Sequence, residues 1–303
     1  MTELNWALAR KRQKLEQRAR ILQQIRAFFV GQGLLEVETP HRIPANAPEP
    51  YIDAVAAGAA VLQTSPELAM KRLLAAGYPD LFQLCRVWRD AERGCRHLPE
   101  FSLLEWYRRD ADYTRLMTDC EALLGTLAPS GCLAWHGEEL DLTPPWPRLS
   151  VAEAFRRHAP CSVETALAND RFDEILALEV EPRLGTAPLF LVDYPAPLAA
   201  LARLKPGAPA VAERCELYLG GLELANGFSE LTDPQEQRAR FVRDEACRRT
   251  AGKPPRQLPE SYLAELATLP RCAGMALGVD RLVMLLTGAA EIDEVVAFTP
   301  EQL

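Results

Sequence analysis

The chain has 303 residues, of which 48% are hydrophobic and 25% charged, an ordinary balance for a folded globular protein. Wholesale disorder, collagen-like repeats and a disulfide-dense miniature scaffold are excluded. With 34 Lys and Arg against 42 Asp and Glu, the formal charge is −8, which argues against a basic protein that coats nucleic acid.

Length alone allows one domain or two. The opening stretch MTELNWALARKRQKLEQRAR has no apolar run long enough for a signal peptide. The longest run of small apolar residues, Ala54 to Leu62, is nine residues, too short to span a bilayer. The eight cysteines (Cys85, Cys95, Cys120, Cys132, Cys161, Cys215, Cys247 and Cys272) form no CxxC pair, and the four histidines are scattered. A zinc or redox motif is therefore not expected. Scattered free thiols suit a cytoplasmic location.

Residues 4–30 read as an amphipathic helix, with Leu8, Leu15, Leu22, Ile25 and Phe29 on one stripe. A short strand, Leu34 to Thr39, ends at Pro40, and a Pro-rich loop follows to about residue 50. Ser65-Pro66-Glu67 predicts a helix start, with Ser as N-cap and Pro at N1. Two strands, 81–88 and 100–107, flank a polar loop carrying Arg89, Asp90, Glu92, Arg93, Arg96 and His97. A helix fills about 112–127. Residues 129–147, with four prolines, predict a surface connection, and Ser150 with Glu153 predicts a capped helix. The stretch 160–210 is mixed and holds one apolar strand, 188–194. Two strand-like runs then surround Gly220-Gly221. A helix runs from Asp233-Pro234 to about 250, and a strand, 273–278, leads into a helix, 279–287. The expected class is α+β.

Three segments hold residue types that suit chemistry. If Gly220-Gly221 is a two-residue turn, Tyr218 faces Glu223 and Glu216 faces Ala225. Glu216 and Glu223 then share a face, roughly 7–8 Å apart at the backbone, and could hold a hard cation such as Mg²⁺. A solvated strand face with two unrelated glutamates is the plainer reading. The Arg-rich loop after 81–88 suits phosphate or carboxylate recognition, or is an exposed charge run. Beside it, Glu105 and Tyr107 share one side of a strand; an acid and a phenol could hold a primary ammonium, or face outward as a polar pair. In Gly274-Met-Ala-Leu-Gly278-Val-Asp-Arg281, Gly278 joins strand to helix and Arg281 lies in the first turn, a place for an anion. In isolation, a glycine needed for close packing is the plainer reading of Gly278.

Together, in order and spacing, these segments resemble the three motifs of class II aminoacyl-tRNA synthetases: helix 4–30 with the strand to Pro40, FQLCRVWRDAERGCRHLPEFSLLEWYR at 82–108, and GMALGVDR at 274–281. Within the class, TSPELAMKRL, EFSLLEWY and ELYLGGLELANGFSELTDPQEQ are similar to the lysyl branch. The first motif begins near residue 4, which leaves no room ahead of it for the anticodon-reading domain of lysyl-tRNA synthetases. Ser65 and Ala276 stand where those synthetases have Ala and Gly. At both positions the chain resembles the branch of ligases that modify elongation factor P.

The resemblance implies a single catalytic domain over 1–303, an antiparallel sheet flanked by helices, and a homodimer. It implies activation of (R)-β-lysine, or lysine, by ATP with Mg²⁺, and transfer to a lysine of elongation factor P, with tRNA not expected as acceptor. The implied ATP contacts are Arg89, Asp90, Ala91, Glu92, His97, Leu98, Phe101, Glu216, Leu217, Gly278 and Arg281. The implied amino-acid pocket is Ser65, Pro66, Glu67, Glu105, Tyr107, Glu223, Asn226, Phe228, Glu230 and Ala276. Arg89, Arg281, Glu216 and Glu223 would carry catalysis, the last two as metal ligands. Placing Asn226, Phe228 and Glu230 with Glu223 requires a bulge, expected near Asn226-Gly227. Two departures stand out: Ala91 replaces an acid of the family pattern, and Leu98 replaces an Asn. A lysyl-synthetase core making lysyl-adenylate or charging tRNA, and a non-catalytic regulatory paralogue, are the alternatives.

Overall fold

Helix starts follow local chemistry. Asp112 Oδ1 accepts from Thr114 N at 3.0 Å, Ser150 Oγ from Glu153 N at 3.2 Å, and Asp233 Oδ1 from Gln235 N and Glu236 N at 2.8 and 3.1 Å. Each satisfies backbone donors that the helix itself leaves open. The computed structural model describes residues 3–303, with side chains from Leu8 onward. Two compact units emerge. One holds residues up to Arg109 together with Thr232–Cys272 and Leu277–Leu303, and the other Asp110–Leu231 with Ala273–Ala276.

In the first unit, Leu81–Trp88 pairs antiparallel with Glu100–Arg109, running Leu81↔Tyr107 to Trp88↔Glu100. The short Leu35–Glu36 strand lies parallel to Leu81–Trp88. It is shorter than the predicted 34–39 strand. The helix Glu3–Gly31 buries Ile21, Ile25 and Phe29. The Phe29 ring lies 5.2 Å from Phe82 and 5.1 Å from Trp106. Leu8, Leu15 and Leu22 are only half-buried, and Arg18 takes a buried place instead. Its Nη1 meets Asp280 Oδ1 at 2.5 Å and its Nη2 donates to Ser102 Oγ at 2.8 Å. Asp280 Oδ2 accepts from Ser102 N at 2.6 Å. One buried ion pair thus joins all three motif segments.

In the second unit, Leu189–Pro195, Ala208–Leu219 and Leu222–Ser229 form an antiparallel run, with Arg148–Ser150 added in parallel. The helices Tyr113–Leu127, Val151–His158 and Val163–Ala168 accompany it. The predicted surface connection is instead a hairpin, Cys132–Trp135 with Glu138–Asp141, that buries Leu133, Trp135 and Leu140. Its prolines, Pro129 before the hairpin and Pro144, Pro145 and Pro147 after it, lie where they break no ladder. The unplaced stretch holds short helical turns, including a π-turn at Leu176–Val180. Both units combine helices with mostly antiparallel strands, the α+β class expected.

Candidate active site

In the first unit, Glu105 is 2% exposed. Its Oε2 accepts from Ser65 Oγ at 2.7 Å and its Oε1 from Tyr107 Oη at 2.5 Å. Ser65 Oγ also accepts from Glu67 N at 3.0 Å. Pro66, not Ser65, holds the cap position of the Glu67–Ala75 helix. The predicted start is thus one residue off, because the Ser65 hydroxyl reaches inward. The Lys71 ammonium, wholly buried, meets Glu67 Oε1 at 2.5 Å. Burial pushes the Glu105 carboxyl up from its ordinary range, and the Glu67 carboxylate adds to this; the bonds from Tyr107 and Ser65 and the Lys71 charge oppose it. Two carboxylates and one ammonium leave one negative charge unbalanced. The cluster suits one further cation that can donate hydrogen bonds.

The second cluster of this unit is positive. Arg89 N donates to Pro99 O at 2.9 Å, and its guanidinium carbon lies 5.1 Å from the Phe101 ring centre. Its Nε is buried without a partner, a donor left for an anion. His97 Nε2 lies 2.5 Å from Arg281 Nη2, and Arg281 Nε donates to Arg96 O at 3.2 Å. Desolvation, with Arg281, Arg89 and Arg96 close by, lowers the His97 imidazole to about 4, so it is neutral at pH 7. Gly278 opens the Val279–Thr287 helix with no side-chain cap, leaving amide donors for an anion. The guanidinium pair and a flat aromatic face suit the phosphates and base of ATP.

The two departures have clear settings. Ala91 is exposed at φ 60°, so a glutamate there would sit in the left-handed region. Glu92 lies 3.9 Å from Arg89, and Asp90 N donates to Asp53 O at 2.7 Å. Leu98 is buried in the core, so only its backbone can serve a ligand.

In the second unit, Gly220 and Gly221 have φ 63° and 69°, the left-handed pair that a tight hairpin turn requires. Tyr218 faces Glu223 as predicted, but Glu216 faces Asn226, not Ala225. The bulge sits at Leu224, where the register shifts, and not at Asn226-Gly227. Gly227 has a different cause: a Cβ there would lie 2.6 Å from Met275 Sδ and 2.8 Å from Gly274 O. The bulge returns Asn226, and Phe228 opposite Arg214, to the face of Glu216 and Glu223. Leu217, Leu219, Leu222 and Leu224 are buried on the core side, so Leu217 too offers only backbone.

Glu216, 6% exposed, accepts from Arg214 Nη2 at 2.7 Å and from Tyr218 Oη at 2.9 Å. Arg214 Nε donates to Asn226 Oδ1 at 3.1 Å, and its guanidinium lies over the Tyr194 ring at 4.4 Å. Burial, then the Glu216 charge, holds the Tyr218 and Tyr194 phenols well above their ordinary range, so both stay protonated. Glu230 is buried and Ala276 half-buried on the Cys272–Gly278 strand. Two carboxylates on one face, Glu216 and Glu223, are the hard-oxygen donor set that suits Mg²⁺. Among the described residues, no group of three or more His, Cys, Asp or Glu is placed to hold a metal ion, so phosphate oxygens or water would complete the shell.

Three flanking residues escaped the sequence reading. Lys71 is four residues beyond Glu67 on one helix face, and Arg214 is two before Glu216 on one strand face; both spacings were there to read. Arg18 carried no such signal.

The sequence matches the family model for class II tRNA synthetases (D, K and N) over residues 4–302. It is 38% identical to the elongation factor P–(R)-β-lysine ligase of Vibrio cholerae, across 98% of each chain. It is 42% identical to the ligase of the same name from Mannheimia succiniciproducens across 93% of each chain, and 40% to that of Klebsiella pneumoniae across 95%. A match that runs through all three motif segments places the chain in the class II tRNA synthetase family of the D, K and N group.

Proposed function

We propose that this chain activates (R)-β-lysine with ATP and transfers the β-lysyl group to a lysine side chain of elongation factor P. The observation that carries the reading is the Glu105 cluster, short of one positive charge, in the same unit as the Arg89–His97–Arg281 cluster, which is rich in donors for an anion. The names of the full-length relatives supply acceptor and substrate.

The β-lysine carboxylate attacks the α-phosphorus of ATP in line, forming the acyl-adenylate and releasing pyrophosphate. The Arg89 guanidinium holds the α-phosphate and the attacking carboxylate together, while Phe101 stacks on adenine. His97 and Arg281 take the outer phosphates. Glu105 and Tyr107 fix the side-chain ammonium beside Ser65 and Glu67; for Asn226, Phe228, Glu230 and Ala276 the family resemblance implies a part in binding the amino acid. Glu216 and Glu223 would hold Mg²⁺, which would supply charge neutralisation to phosphate oxygens. The acceptor lysine amine then attacks the adenylate carbonyl and AMP leaves. Catalysis is positioning and electrostatics, with no protein nucleophile.

The single catalytic domain is part of the proposal, supported by a family match that runs through both units. So is a homodimer, supported by Val30 and Leu35, 58% and 42% exposed at the end of the first motif. A cytoplasmic setting is supported by eight free cysteines. Among the described residues, no helix is long and apolar enough to cross a membrane. The net charge of −8 favours a protein acceptor over tRNA.

Intact-mass analysis of elongation factor P incubated with the enzyme, ATP and (R)-β-lysine tests the reading. The expected result is a gain of one lysyl group that disappears without ATP. An unchanged mass, with no lysine-dependent pyrophosphate exchange, refutes it.

A further inference from the structure

Gln83 stands on the Leu81–Trp88 strand directly opposite Glu105. Opposed residues of an antiparallel pair project from the same face of the sheet, with Cβ atoms about 4.5–5.5 Å apart. Gln83 is therefore the cross-strand neighbour of the carboxylate at the centre of the negative cluster. It is 1% exposed, and neither its amide oxygen nor its amide nitrogen has a hydrogen-bond partner. The amide lies near the Cys85 thiol, but sulfur is a weak acceptor. Its strand neighbours Phe82 and Leu81 are fully buried and apolar, so packing alone would be served by leucine. Burying an amide with both ends unpaired destabilises the empty protein, which calls for a compensating use.

A primary ammonium offers three donors. The Glu105 oxygens already receive Ser65 and Tyr107, and Lys71 is engaged by Glu67. Gln83 Oε1 is an acceptor in this neighbourhood with no bond to give up. Resting on the β-lysine reading above, we infer that Gln83 is a specificity-determining residue whose amide oxygen accepts a hydrogen bond from the substrate ammonium paired with Glu105. The amide then discriminates by donor number: an ammonium satisfies carboxylate and amide together, whereas a hydroxyl with one proton satisfies only one of them.

Calorimetric titration of the full-length enzyme with (R)-β-lysine tests this without turnover. Gln83→Met keeps the side-chain length, and Gln83→Leu fills the site with hydrocarbon. For both, the expected Kd is about tenfold weaker, the loss of one hydrogen bond to a charged group. The Tm of the ligand-free variants should be unchanged or higher, because an unpaired amide has been removed. The preference for β-lysine over its analogue with a terminal hydroxyl should shrink, while ATP affinity stays put. A Kd within twofold of wild type overturns the inference, as does a lowered Tm in both variants, which would make Gln83 a structural residue. If the wild-type enzyme binds neither β-lysine nor lysine, the ligase reading itself fails. Wild-type binding with unaffected variants removes Gln83 alone.

Discussion

The two clusters of the first unit perturb their titratable groups in opposite directions. Around Glu105, burial and a second carboxylate raise a carboxyl. Around His97, desolvation and three arginines lower an imidazole to about 4. Each group is pushed toward its neutral form first by burial and then by like charges close by. Each cluster is thus complementary to a ligand charge, one to an ammonium and the other to phosphate. An amino acid with a cationic tail and a nucleotide with an anionic tail meet both needs.

Four experiments test that contrast. The largest effect is expected from Arg18→Ala, which removes the ion-pair partner of the buried Asp280 carboxylate, next in sequence to Arg281. Loss of one partner of a buried pair costs about 3–5 kcal/mol, and denaturant unfolding should report it. Arg281→Ala should slow pyrophosphate exchange by roughly 10²–10³-fold, as removal of one preorganised donor does. Calorimetry should find β-lysine binding untouched; weakened β-lysine binding would mean that the clusters are not independent. Glu105→Gln should do the reverse, weakening β-lysine by roughly 10–100-fold, the worth of a hydrogen bond to a charged group, with ATP affinity preserved.

The smallest effect is proton linkage. An ammonium beside Glu105 restores the carboxylate, so β-lysine binding releases protons near neutral pH. Phosphates beside His97 favour imidazolium, so ATP binding takes protons up between about pH 4 and 6.5. Binding enthalpies measured in buffers of different ionisation heat should show these opposite signs. Stability follows the same logic. The raised Glu105 carboxyl binds more protons folded than unfolded, so its contribution is full below the ordinary carboxylate range and is lost as pH rises through the raised value. The lowered His97 binds fewer, so its contribution is present above 6.5 and is lost as pH falls toward 4.

Much of this was legible because it is local. The Ser150 and Asp233 caps, the Gly220-Gly221 turn, and Glu105 and Tyr107 on one strand side depend on residues within a few positions of each other. The bulge was required by the chemistry, yet its place at Leu224 was not, since any of several residues could absorb the extra step. The hairpin at 132–141 was missed because its prolines lie nearby but outside it. Gln83 read as one polar letter in a strand; only pairing with Glu105 gives it meaning.

The α+β class and the order of the three motif segments were legible in one dimension, because periodicity and motif spacing survive there, while the residues proposed for the site came from the family resemblance that those segments carry. Tertiary structure decided which of those residues are charged, buried or short of a partner. Arg18 meets Asp280 across 262 positions, and Glu105 meets Ser65 across 40. Desolvation and pairing at such separations depend on how the chain packs, which no local pattern encodes.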